Sequence, residues 1–285
     1  MPTSGSHDPG TICWIDLAST DADGASEFYC ELFGWTATEP IENAGGYRML
    51  LHEGRQVAGL APVWGDTDVS SWSAYVASAD ADETCAAAIA SGGEVVMDAM
   101  DVLDAGRMAV LRDPGGAQVS VWQAGLHHGY EAHGEPGTPI WCELMTRDIA
   151  AVREFYGPVF GWISQVEEFD GVPYTIWKRG ERVVGGAIEM DASWPEGTQP
   201  HWMVYIATAD CDRTARRCLE LGGTVWHEPE DIGPGRCSLL EDPAGGSFSV
   251  VTLRSQSDAA SIRNWRGAAR PWCSSSAVSR NAPGR

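Results

Sequence analysis

The chain has 285 residues, 44% of them hydrophobic and 21% charged, an ordinary globular balance at a length that suggests about two domains. Its net charge is −21, and residues 1–254 carry −25 because the arginine-bearing stretch 255–285 contributes +4. A body that acidic repels phosphate backbones, so nucleic acid is excluded as an expected partner. No apolar run approaches the ~20 residues of a membrane span. The opening MPTSGSHDPG lacks the basic region and apolar core of a secretory signal, so a cytoplasmic location is the expectation. The eight cysteines are scattered with no CxxC pair, which argues for reduced, packed side chains and against a zinc cluster. Lys178 is the single lysine beside 18 arginines, a bias that suggests a high-G+C genome such as an actinomycete's.

In chain order, residues 11–19 alternate as a strand. Asp21 is placed to cap a helix carrying Ala25, Phe28, Tyr29 and Leu32 at helical spacing, and Gly34 stops it. Strands are predicted over 47–51 and 56–61, split by a turn at Glu53-Gly54, and over 71–77. Asp80 caps a second predicted helix, 81–90, which Gly92-Gly93 ends. Strands over 94–97, 107–112 and 117–122 follow, the last entered through the turn Asp113-Pro114-Gly115-Gly116. The stretch 125–136, with His127, His128 and His133, reads as a flexible, solvated linker. Beyond Arg254 the chain lacks apolar periodicity and reads as disordered, with Trp265 and Trp272 as loose tryptophans, and 1–9 reads as a flexible start.

The whole pattern then repeats. Gly10–Trp35 matches Gly137–Trp162 at an offset of 127, sharing Trp14/Trp141, Asp21/Asp148, Phe28-Tyr29/Phe155-Tyr156 and the Phe-Gly-Trp ending. Val57-Ala58-Gly59 matches Val184-Gly185-Gly186 at the same offset. Trp72, Tyr75 and Asp80 match Trp202, Tyr205 and Asp210 at 130, and DPGGAQVSVW matches DPAGGSFSVV at 129. Two duplicated α+β domains result, 10–124 and 137–254, each built from two strand-helix-strand-strand-strand units. Duplication fuses what is otherwise a dimer, so a monomer with pseudo-dimeric domains is expected.

The strand before a capping Asp, the helix ending FYxxxFGW and the DPxG-strand closing each half resemble the vicinal oxygen chelate superfamily, which holds glyoxalase I, bleomycin-resistance proteins and extradiol dioxygenases. The resemblance covers about residues 10–253. It is strongest to a two-domain actinobacterial branch that includes a mycobacterial 27 kDa glyoxalase-like antigen. It implies paired βαβββ modules whose mixed sheet curls into a cup around the ligand. It also implies company: some relatives belong to polyketide gene clusters, with roles in tailoring or binding the product, which makes a tailoring enzyme an additional expected partner.

Metal enzymes of that family hold an ion with His, Gln and Glu. The resemblance places those ligands at Trp14 and Trp141, at Ser73 and Met203, and at Ser120 and Ser249 in this chain. Indole has no usable lone pair, and thioether and hydroxyl groups are poor ligands for a hard or borderline ion. No metal and no other cofactor is therefore expected.

Period-2 alternation instead faces Ile12, Trp14, Asp16 and Pro139, Trp141, Glu143 into the cups. It adds Ser71, Ser73, Tyr75 and His201, Met203, Tyr205 from the fifth strands, and Gln118, Ser120, Trp122 and Ser247, Ser249, Val251 from the closing strands. Several readings stay open. Aromatic cups with a few polar groups suit a small, flat, largely apolar polyketide-like ligand, with Trp14, Asp16, Tyr75, Ser120, Trp122, Trp141, Glu143, Met203, Tyr205 and Ser249 as its contacts. The same tryptophans equally serve as mere filling of cups that bind nothing. An isomerase, lyase or hydroxylase is the enzymatic alternative, using Glu143 and His201 (with Glu189 nearby) or Asp16 as acid and base, or a displaced metal. A structural or signalling partner role rests only on the acidic surface. Arg107 and Arg236 at matched turns are expected to pair with Asp104 and with Glu230 or Asp231, or else to clamp an anion.

Overall fold

The structure is a computed structural model that describes residues 7–254 apart from 66, 170, 171, 193, 233 and 234. The predicted tail, with Trp265, Trp272 and Cys273, and residues 1–6 lie outside the described residues. The first half runs β1 (Ile12–Ser19), α1 (Ala22–Phe33), β2 (Thr36–Ala37), β3 (Arg48–His52), β4 (Arg55–Pro62), β5 (Ser71–Ala77), α2 (Ala81–Ala90), β6 (Glu94–Val102), β7 (Gly106–Arg112) and β8 (Gln118–Ala124). The second half runs β9 (Pro139–Thr146), α3 (Ile149–Phe160), β10 (Ile163–Phe169), β11 (Val172–Arg179), β12 (Arg182–Glu189), β13 (His201–Ala207), α4 (Cys211–Glu220), β14 (Thr224–Ile232), β15 (Gly235–Glu241) and β16 (Ser247–Leu253).

Each half forms one eight-stranded mixed sheet, ordered β2-β3-β4-β1-β5-β8-β7-β6 and β10-β11-β12-β9-β13-β16-β15-β14. Each sheet is two modules, such as β2-β3-β4-β1 and β5-β8-β7-β6, joined through the antiparallel pair β1–β5 or β9–β13. Within a module the first strand runs parallel to the last, as β1 does to β4 and β5 to β8. A helical crossover makes that pairing possible, because parallel neighbours need a long connection. The helices start where expected: the Asp21, Asp80, Asp148 and Asp210 carboxylates accept from backbone N–H groups of the first turn. α1 and α3 end on Gly34 and Gly161 in the left-handed region, at φ 69° and 70°.

The two halves lock by exchanging contacts. The Tyr29 hydroxyl donates to Asp242 in the second DPxG turn (3.0 Å), and the Tyr156 hydroxyl to Asp113 in the first (2.9 Å). Each tyrosine oxygen also accepts from an indole of its own half, Trp72 (3.1 Å) or Trp202 (3.0 Å). The Trp35 indole reaches the Gly137 carbonyl and the Trp162 indole the Gly10 carbonyl, both at 2.6 Å. Phe28 meets Phe248 edge to face. One continuous apolar core consequently spans both halves on the helix side of the sheets, from Ile15 and Tyr29 to Tyr156 and Phe248. Two smaller apolar clusters stand apart from it, one in each cup.

Several expectations change. The connecting segment is not a solvated tether. Tyr130 N–H donates to the Cys13 carbonyl and Glu131 N–H to the Gln56 carbonyl, both at 2.9 Å, and Ala132 is buried. His127 lies edge-on to Trp14 with ring centroids 4.5 Å apart, and its carbonyl accepts from the Trp122 indole. Arg107 pairs with Asp82 and Asp101, and Arg236 with Asp212 and Asp231. Asp104 and Glu230 are not their partners, because each guanidinium instead forks onto the Asp in the first turn of α2 or α4. Among the described residues the cysteines are free thiols, most of them buried.

Candidate functional site

Strand register defines each cup row by row, because residues directly opposite share a face. In the first cup one row is Met49, Gly59, Asp16 and Ser73. The next is Trp14, Tyr75, Ser120 and Val110, and the last is Ala77, Trp122 and Met108. The second cup repeats these rows as Ile176, Gly186, Glu143 and Met203, then Trp141, Tyr205, Ser249 and Leu239, then Ala207, Val251 and Cys237. Bulges at Ile12/Trp14 and Tyr205/Ile206 break the expected alternation. They pair Ile12 with Val76 and Pro139 with Ile206, both on the helix side, so Ile12 and Pro139 leave the cup face. Ser71, Gln118 and Ser247 sit at strand ends, with Ser71 and Gln118 exposed.

At the centre of each cup a carboxylate lies between two tyrosines. The Tyr75 hydroxyl donates to Asp16 Oδ2 at 2.7 Å, and Tyr47 reaches the same oxygen at 3.5 Å. The Tyr47 oxygen accepts from the Trp14 indole at 2.9 Å. In the second cup Tyr174 donates to Glu143 Oε1 at 2.5 Å and Tyr205 to Oε2 at 2.8 Å, while the Trp141 indole donates to Tyr174 at 3.2 Å. Burial raises both acids, Asp16 to about 6 and Glu143 to about 7, against the opposing pull of the tyrosine hydroxyls.

Tyr47 and Tyr174 are the residues that sequence reasoning missed. Their signal was present: they match at the 127-residue offset, and so do Gly59 and Gly186. A Cβ on either glycine would collide with the tyrosine hydroxyl above it. The glycines leave the space in which the tyrosine reaches the carboxylate.

The proposed acid and base Glu143 and His201 are not brought together. Glu143 spends both oxygens on tyrosines, and His201 Nδ1 faces the Gln199 carbonyl at 2.8 Å at the start of β13. Burial lowers the His201 pKa below the ordinary histidine value. Glu189 is exposed at the end of β12. His127 is held neutral by burial, with a pKa of about 4. His128 and His133 are exposed.

Trp14, Ser73 and Ser120, with Trp141, Met203 and Ser249, stand where the superfamily's metal ligands are expected, and an indole, a thioether and hydroxyls do not fit a divalent ion. Among the described residues no three His, Cys, Asp or Glu side chains are grouped to hold one. Among the described residues no helix is long and apolar enough to cross a membrane.

Comparison with known proteins places this architecture. A family model for the Glyoxalase/Bleomycin resistance protein/Dioxygenase superfamily matches residues 11–121, and one for a glyoxalase-like domain matches 141–251. The fold is also that of the Mn(II)-bound glyoxalase from Novosphingobium aromaticivorans (TM-score 0.60, 16% identity, 86% of this chain and 82% of that one). It is shared by the 2,3-dioxygenase LapB from Pseudomonas sp. KL28 (TM-score 0.59, 15% identity, 87% and 93%). At that identity the likeness is one of fold. The chain belongs to the glyoxalase/bleomycin resistance protein/dioxygenase superfamily, as a tandem two-domain member. Nearer in sequence is the anthracycline biosynthesis protein DnrV of Streptomyces peucetius, 41% identical over 261 residues that cover 86% of this chain and 94% of that protein. CFP32 of Mycobacterium tuberculosis, which carries the name glyoxylase, is 39% identical over 258 residues, 88% of this chain and 98% of that protein.

Proposed function

We propose that the protein binds a small, largely apolar aromatic metabolite in a tryptophan- and tyrosine-lined cup, without a metal, as an auxiliary of polyketide antibiotic biosynthesis or self-resistance. The observation that carries this reading is the matched Trp–Tyr–carboxylate–Tyr set in both cups, beside an indole, a serine or methionine and a serine at the positions of the family's metal ligands. Such a surface offers stacking faces and a few fixed polar groups, which is how flat apolar ligands are oriented. The polyketide class is supported by full-length likeness to DnrV and to DauV of Streptomyces sp. strain C5, both named for anthracycline biosynthesis. Titration of tryptophan fluorescence with hydroxylated anthraquinones tests the reading. Saturable quenching, altered by Trp14→Ala or Trp141→Ala, is expected. Absence of saturable quenching removes the binding role, and a stoichiometric transition metal in protein purified without chelator removes its metal-free part.

A second reading, an isomerase, lyase or hydroxylase, is favoured by Asp16, a half-buried carboxyl whose pKa lies near neutrality as a general base requires. Time-dependent change in the bound ligand's absorbance, lost in Asp16→Asn, distinguishes turnover from binding.

A further inference from the structure

We propose that only the first cup takes the ligand, that Ser73 keeps it open, and that Asp16 anchors a ligand hydroxyl through its Oδ1. This deepens the binding role proposed above and rests on it.

The two carboxylates are placed by the same register but differ in what they have left to offer. Glu143 is 3% exposed, and each of its oxygens already accepts from a tyrosine. In the first cup both tyrosines lie on Oδ2 of Asp16, and Oδ1 has no hydrogen-bond partner among the described residues. Asp16 is half-buried, as are its row neighbours Met49 and Ser73, so this oxygen can be reached. A reachable carboxylate oxygen that no side chain occupies can exchange its water for a ligand donor.

The side chains around each carboxylate explain the difference. Opposite Asp16 stands Ser73, and opposite Glu143 stands Met203, which is 6% exposed and packs into the second cup's own cluster. Met190 and Trp194, from the chain just past β12, join that cluster and complete the cover. The corresponding chain past β4 leaves Trp64 66% exposed. A methionine fills irregular space that a serine leaves vacant. The connecting segment meanwhile backs the first cup's tryptophans, with His127 edge-on to both Trp14 and Trp122. The strand tryptophans of both cups, Trp14, Trp122 and Trp141, are buried; the contrast lies at the carboxylate, which is reachable beside Ser73 in the first cup and sealed beneath Met203 in the second.

The ligand chemistry follows from that acceptor. A neutral hydroxyl on a flat ring donates to Oδ1 while the ring lies against the half-buried Tyr47, Met49 and Met108; Trp14 and Trp122 sit behind them, buried. An anionic ligand meets Asp16 and a net charge of −21, and is disfavoured.

The test uses the full chain with 2,6-dihydroxyanthraquinone and unsubstituted anthraquinone as probes, followed by fluorescence and calorimetry. One probe per chain is expected, with the dihydroxy compound bound at least about tenfold more tightly, the worth of a hydrogen bond to a charged group. Asp16→Asn should shrink that preference. Ser73→Met should abolish binding while near-ultraviolet circular dichroism and melting stay as in the wild type, and Ser73→Thr should retain it. If Ser73→Met fails to fold, Ser73→Leu and Met49→Trp close the same row from other positions. Met203→Ser should leave first-cup affinity unchanged. Two probes per chain, or binding that survives Ser73→Met and falls with Trp141→Ala, would overturn the choice of cup while leaving the binding role intact. Failure of both probes to bind the wild type would overturn both.

Discussion

Opposite Asp16 stands a serine and opposite Glu143 a methionine, in cups whose strands pair in the same register row for row. The backbone solution is shared, down to the glycine that makes room for the tyrosine and the indole that steadies it. Side chains differ in several rows, Trp122 against Val251 and Met108 against Cys237 among them, and beside the carboxyl the smaller serine accompanies a half-buried Asp16 and the methionine a buried Glu143. Both acids are raised by burial, Glu143 from 4.5 to about 7 and Asp16 from 3.8 to about 6. The comparison teaches that a duplicated polar network can be sealed from solvent in one copy and left partly exposed in the other.

The largest expected effect comes from removing the charge in the closed cup. Because the folded protein holds the Glu143 proton more tightly than the unfolded chain, the neutral acid stabilises fully below pH 4.5. That stabilisation is lost as pH rises through about 7. Glu143→Gln should therefore gain on the wild type with rising pH, by on the order of 3 kcal/mol at pH 8. Urea unfolding at several pH values measures the difference, and a gap that does not vary with pH refutes the assignment. Asp16→Asn should show the same sign with a smaller amplitude, since Asp16 remains half-buried and partly hydrated.

Next comes the glycine pair. Gly186→Ala pushes a methyl into the hydroxyl of Tyr174, which is 1% exposed and cannot yield. A loss of about 2–3 kcal/mol is expected, at the upper end for overpacking. Gly59→Ala meets Tyr47, which is half-buried and can swing outward, so about 1 kcal/mol is expected there. Equal losses at the two sites would contradict the open-versus-closed contrast. The smallest effect separates the tyrosines. Tyr205→Phe leaves a buried Glu143 oxygen without its donor and should cost about 1–2 kcal/mol, whereas Tyr75→Phe should cost less because water can take its place at Asp16. Thermal melts of the two variants, side by side, check the order.

Much of the fold was legible in the sequence because duplication wrote it twice. Matched capping aspartates, the FYxxxFGW endings and the DPxG turns each carry local chemistry that needs no distant information, and the strands fell within a few residues of their places. β2 and its counterpart β10 were missed, β2 because two residues hold no period and β10 because the second copy was read on the pattern of the first. At the site, Trp14, Asp16, Tyr75 and their counterparts followed from alternation. Tyr47 and Tyr174 did not, since each reaches the carboxylate over a glycine of the neighbouring strand, a relation invisible to a one-strand pattern. The bulges that turn Ile12 and Pro139 away, and the docking of His127 and Tyr130 on the first cup, are likewise tertiary effects. The turn aspartates Asp113 and Asp242 carried a second meaning that no local reading could supply. Each is the acceptor for the other half's tyrosine.

That crossed clasp has a consequence for how the two cups came to differ. In a dimer of identical chains every substitution is inherited by both cups at once, so a methionine that plugs one also plugs the other. A covalently joined pair keeps the shared core and the reciprocal tyrosine contacts while each half answers to its own codons. Ser73 and Met203 can then diverge, and one cup can be given up to rigidity without costing the molecule its opening.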